Sequence, residues 1–110
     1  MVERSRILDQ TYGALAHPAR RGLLELLRFG PERVTDLAAQ FDVSLAATSK
    51  HIQVLESAGL ITRTISGRDH LIAPEFHRLV EAGRWIDTYQ SFWESRLDAL
   101  DAHLRRGSRR

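Results

Sequence analysis

The stretch from Ser44 to Gly59 constrains the fold most, because it carries a helix start signal, a helical period and a stop signal in order. Ser44 is a residue type that accepts a backbone N–H at a helix N-cap, and Gly59 is the type that lets the chain turn left-handed after the last turn. Between them, Leu45, Thr48, Ile52 and Leu55 recur at steps of three and four, so a helix over 45–58 places that line on the core. Ala46, Ser49, Lys50, Gln53 and Ser57 fall on the opposite side. After Gly59 the period changes. Leu60-Ile61-Thr62-Arg63-Thr64-Ile65 is β-branched, Ser66-Gly67-Arg68 is a turn signal, and Asp69 to Ala73 supplies a second strand.

Upstream, Ser5 is expected to cap a first helix with Leu8, Tyr12 and Leu15 on one face. His17-Pro18 interrupts it, and Pro18 suits the first position of a second helix, Ala19 to Phe29, whose Leu23, Leu24, Leu26 and Leu27 are too apolar for a surface element. Gly30-Pro31 stops that helix. Thr35 or Asp36 is expected to cap a short helix through Gln40, with Leu37, Ala38 and Phe41 facing inward. Pro74 opens a last helical region, with one interruption expected at Gly83, that continues to about Arg105.

The reading is an α+β, mostly α chain of five or six helices and a two-stranded β-hairpin. It forms one domain over residues 1–104, followed by a basic, disordered tail over 105–110. With 110 residues and 43% apolar composition, a core forms without covalent staples. The lack of cysteine excludes disulfides, thiolate nucleophiles and Cys-ligated metals. No segment approaches the roughly 18 apolar residues of a membrane span, and no export signal is visible, so a cytoplasmic protein without membrane contact is expected.

Two short helices joined by a tight turn and followed by a hairpin is the order of a winged helix-turn-helix, which lays its second helix in the DNA major groove and its hairpin along the backbone. The outward face over 44–57 suits that geometry: hydroxyls and an ammonium for phosphate oxygens, an amide for base edges, and no bulky apolar group to hold the surfaces apart. An ordinary solvated amphipathic helix is the bland alternative. Net charge does not decide between them. The chain carries +2, but Arg105, Arg106, Arg109 and Arg110 hold four of its 16 basic residues and none of its 14 acidic ones, leaving residues 1–104 at 12 minus 14, or −2.

Read together, Ala14-Leu15-Ala16-His17-Pro18-Ala19-Arg20-Arg21, Val34-Thr35-Asp36-Leu37-Ala38, Val43-Ser44, the run Ser49 to Ile61 and Gly67-Arg68 closely resemble the ArsR-type winged-helix transcriptional regulators of bacteria. The resemblance implies a homodimeric repressor of operator DNA, acting by promoter occlusion. With the helical periodicity, it makes Ser44, Ala46, Ser49, Lys50, His51 and Gln53 the DNA-facing candidates on the helix, and Arg63 and Arg68 those on the wing. Two positions depart from the pattern: Leu45-Ala46, where relatives often have Gln-Pro, and Thr48, where they are usually apolar. His51 lies at the edge between inner and outer faces, so a structural hydrogen bond and a DNA contact both stay open. Arg68 is read as a phosphate contact, against a solvated turn residue beside Asp69. Arg20 and Arg21 are open between phosphate contact and pairing with nearby acids.

The last helix carries a second signal. Leu79, Ile86, Tyr89, Trp93, Leu97, Leu100 and Leu104 recur at steps of three, four or seven, with Trp85 and Phe92 on the flank. A helix from Glu75 to Leu104 is about 45 Å long, more than a body this small covers. A dimer seam formed with Leu8 and Tyr12 of the first helix is therefore expected, in preference to a small-molecule pocket.

The metal sites familiar from this family are not supported. Asp101-Ala102-His103 supplies half of a C-terminal-helix zinc motif without the second half, and His70 and His77 are separated by the Pro74 bend. No cofactor is expected, and no nucleophile elbow, Gly-rich phosphate loop or His-Glu-x-x-His motif suggests an enzyme. A small-molecule effector of unknown identity is compatible with this reading. The alternative function is a winged-helix module that binds a protein or RNA partner.

Overall fold

His17-Pro18 ends one helix and begins the next, and the structure shows how. The computed structural model describes residues 2–108. In it, α1 spans Val2–Leu15 and α2 spans Pro18–Leu27. His17 takes an extended backbone, its Nδ1 accepts from the Ala19 N–H at 3.1 Å, and Pro18 occupies the first turn. Arg20 donates to the carbonyls of Ala14 (2.6 Å) and Gly13 (3.2 Å), and Arg21 to that of Leu15 (2.8 Å). Those carbonyls lie at the partly negative C-terminus of α1, where that of Gly13 also accepts from the Ala16 N–H at 3.3 Å. The two arginines therefore seal α1 onto α2, where the sequence suggested phosphate or carboxylate partners. Ser5 lies inside α1, which starts three residues before it, at Val2.

The chain continues through β1 (Glu32–Arg33), α3 (Val34–Gln40), α4 (Leu45–Ser57), β2 (Ile61–Ser66), β3 (Asp69–Pro74) and α5 (His77–Ser108). The sheet is antiparallel in the order β1-β3-β2, so the anticipated hairpin gains a third strand. β1 pairs Glu32 with Ile72 and Arg33 with Leu71. Arg33 is also the N-cap of α3, with no side-chain capping bond from it, Thr35 or Asp36. Leu23, Leu27, Leu37, Ile52, Leu55, Leu60, Ile61 and Ile72 form the core where α2, α3 and α4 meet the sheet. Thr48 is buried among them, and its hydroxyl is satisfied by the Ser44 carbonyl at 3.0 Å.

The α4 boundaries follow the sequence signals. Ser44 accepts from the Ala47 N–H at 3.1 Å. Gly59, at φ +76°, lets the Leu60 N–H reach back to the Leu55 carbonyl at 2.9 Å. Leu45 departs from expectation: it is about half exposed, because the first turn of α4 projects beyond the core. Pro74 closes β3 opposite Ile61 and does not open the helix.

Helix α5 is unbroken at Gly83 and continues through the expected tail as far as Ser108. Arg105 pairs with Asp101 one turn earlier at 3.0 Å, and basic residues at a helix C-terminus are favoured by its dipole. Residues 109 and 110 lie outside the described residues. The length of α5 sets the shape: the radius of gyration is 19.8 Å, against about 13 Å for a compact chain of this size.

Candidate nucleic-acid interface

Helix α4 presents Ala46, Lys50 and Gln53 as exposed side chains, with Ser44 exposed at its cap and Ser49 half-buried beside them. Lys50 makes no hydrogen bond or ion pair with any described residue, so its ammonium points into solvent uncompensated. The hairpin turns through Gly67 and Arg68 between the paired residues Ser66 and Asp69, with Gly67 at φ +62°. Glycine at the first position of a two-residue turn matches the twist of the strands it joins. That turn leaves Arg68 exposed at the tip and without a partner among the described residues. A cleft of about 240 Å³ separates the start of α4 from the hairpin, and Leu45, Ser49, Arg63 and Arg68 line it. Arg33 and Thr35, at the β1–α3 junction, line the same cleft. No sequence signal marks that placement, since a two-residue strand has no readable period.

Arg63 differs from Arg68. Its Nη2 lies 3.4 Å from Glu56 Oε1 on α4, and its Nη1 donates to His70 Nδ1 on β3 at 2.9 Å. Its side chain is only 17% exposed. A guanidinium held by two partners in this way links the helix to both strands of the hairpin.

His51 faces inward. Its ring lies 4.4 Å from that of His17, centroid to centroid, and its Nδ1 lies 3.5 Å from Arg20 Nη1. Burial first, then the neighbouring His17 and Arg20, hold its imidazole below the usual value near 6.5. The structural contact is present: His51 packs α4 onto the α1–α2 junction.

The second surface lies on α5. Its stripe of Ile86, Tyr89, Trp93, Leu97, Leu100 and Leu104 is about half exposed throughout. Trp85 and Tyr89 stack with centroids 5.6 Å apart, and Trp93 meets Tyr89 edge-on at 6.1 Å. Leu8 and Tyr12 of α1 are half-buried beside the base of α5, where the Tyr12 hydroxyl donates to the Ala82 carbonyl at 2.7 Å. Among the described residues, no helix is long and apolar enough to cross a membrane.

A family profile described as a helix-turn-helix domain matches residues 15–64. The HTH-type transcriptional regulator Rv2034 of Mycobacterium tuberculosis is 42% identical over 53 residues, which is 48% of this chain and 50% of that protein. The chain spans about half the length of the curated relatives it matches. Among solved structures, the homodimeric winged helix-turn-helix DNA-binding domain Mb0332 of Mycobacterium bovis is 25% identical with a TM-score of 0.58, covering 84% of this chain and 86% of that one. The ArsR family transcriptional regulator RHA00566 is 36% identical with a TM-score of 0.78, covering 83% of this chain and 94% of its own. With a relative of that identity aligned over nearly its whole length on the same fold, the chain belongs to the ArsR family of winged helix-turn-helix transcriptional regulators.

Proposed function

We propose that the protein is a homodimeric repressor that binds operator DNA in the cytoplasm and blocks a promoter by occupying it. The carrying observation is the outward face of α4. It is small and polar, capped at Ser44, and flanked by Lys50 and Arg68, two cations without a partner among the described residues. In this reading Ala46, Ser49 and Gln53 approach base edges, while Ser44, Lys50 and Arg68 meet phosphates. His51 and Arg63 belong to the interface as supports behind that surface. Because Arg20 and Arg21 are engaged with the α1 carbonyls and Arg63 with Glu56, the attraction to phosphates in this reading falls to Lys50 and Arg68.

The dimer reading rests on the uncovered stripe of α5 from Ile86 to Leu104, with Leu8 and Tyr12 at its base. A second copy covering it sets two α4 helices on one face, matching half-sites about one DNA turn apart. The homodimeric state of the Mb0332 domain supports this. The test is fluorescence anisotropy on the DNA upstream of the gene against a scrambled duplex, across a salt series with chelator present. Sequence-preferring binding that weakens steeply with salt is expected. Indifference to both duplexes would overturn the reading in favour of a protein or RNA partner.

A further inference from the structure

The face of α1 turned away from α5 forms a groove with α4 that shares only Lys50 and Gln53 with the surface assigned to DNA. Gly13 and Ala14 of α1 and Val54 and Ala58 of α4 supply its apolar surface, while Gln10, Lys50, Gln53 and Ser57 supply the polar groups. Its volume of about 640 Å³ falls within the roughly 300–1,000 Å³ of small-molecule sites. A Cβ built on Gly13 meets nothing within 4 Å, so the groove is open at that point. Val54 is 40% exposed, a large apolar side chain left in water on a helix whose other apolar residues of the middle turns, Ile52 and Leu55, are fully buried.

The lining fixes the kind of molecule that fits. It contains one cation, Lys50, and no carboxylate; the remaining polar groups are two amides and a hydroxyl. Lys50 has no partner within the described residues. An apolar floor with a single unneutralised ammonium at its rim complements a molecule with an apolar body and one negative charge. The dimer seam lies on another face: at 100° per residue, the mean direction of Gln10, Gly13 and Ala14 is about 170° from that of Leu8 and Tyr12 around α1.

We propose that this groove binds an amphipathic small-molecule monoanion, and that occupancy releases DNA because Lys50 and Gln53 serve both ligands. The inference rests on the DNA reading for its regulatory half and on the groove alone for its binding half. Bound there, the anion neutralises Lys50 and its apolar body lies along Val54, so the outward face of α4 loses a phosphate contact and its clear approach to the duplex. DNA and ligand are mutually exclusive, as in an inducer.

Decanoate is the probe, with 1-decanol as its uncharged counterpart. In backbone amide spectra of the full chain, decanoate is expected to shift Gly13, Val54 and Ser57 saturably, and decanol much less. Lys50→Gln should weaken decanoate binding about tenfold, the loss of one charge-assisted contact. Gly13→Leu extends a side chain from a position where a Cβ meets nothing within 4 Å, and should abolish binding by occupying the groove. That variant should still bind DNA, and decanoate should release wild type but not Gly13→Leu. Shifts confined to the α5 stripe, or equal release of both proteins, would overturn the proposal. If wild type ignores DNA altogether, the DNA reading and the inducer role fall together, and the amide shifts decide the binding site by themselves.

Discussion

His51 packs against His17 with ring centroids 4.4 Å apart and planes inclined by 47°, and both rings present Nδ1 as an acceptor, His17 to the Ala19 N–H and His51 to Arg20. Arginine only donates, so the His51 contact requires an unprotonated Nδ1. Burial, then His17, then Arg20 depress the affinity of His51 for a proton. The unfolded chain, without those neighbours, takes up the proton first as pH falls through about 6.5. Stability is therefore insensitive to this group at alkaline pH and declines as pH drops below its unfolded value. Urea melts at pH 8 and pH 5.5 should show a smaller loss for His51→Gln than for wild type; equal losses would show that His51 is not the linked group.

Ser44 caps α4 through the Ala47 N–H. Ser44→Ala should cost about 1 kcal/mol in a urea melt, while Ser44→Asp should restore most of it. A neutral alanine variant would mean that water satisfies that amide equally well.

Lys50, Gln53 and Arg63 should separate cleanly on DNA. Lys50→Ala is expected to weaken all duplexes and lower the salt slope by about one, and Gln53→Ala to change preference among sequences. Arg63→Ala should lower affinity with little change in slope, because its guanidinium is committed to Glu56 and His70. Glu56→Ala should reproduce that loss, and the double variant should add little to it. A slope lowered by a full unit in Arg63→Ala would make it a phosphate contact instead.

Trp93 is half exposed at the middle of the α5 stripe. As a central aromatic anchor, its truncation to alanine should cost the dimer about 2 kcal/mol, roughly thirtyfold in dissociation constant, by sedimentation equilibrium. An unchanged constant would place the seam elsewhere.

The elements readable in advance were those with a complete local grammar. For α4, a cap at Ser44, a core line through Ile52 and Leu55, and Gly59 at φ +76° all point the same way. The hairpin was legible for the same reason, through Gly67. β1 was not, because Glu32 and Arg33 become a strand only by pairing with Ile72 and Leu71, a relation between distant segments. The roles of Arg20, Arg21 and Arg63 were hidden similarly: a sequence shows a charge, but their partners are carbonyls of α1 and side chains of α4 and β3. Leu45 fits the apolar spacing and still lies outside, since periodicity gives the direction of a side chain and not how far the core extends beneath it.

Arg33 ends β1 and occupies the N-cap position of α3, so no loop intervenes between the sheet that carries the hairpin and the first helix of the helix-turn-helix. The hairpin is thus a fixed arm on a solid head. Pivoting it aside would unzip β1 from β3 and prise the Arg63 tether off α4 together. In the proposed dimer, a signal arriving through α5 would accordingly act on the gauge between two such heads rather than on the grip of either one.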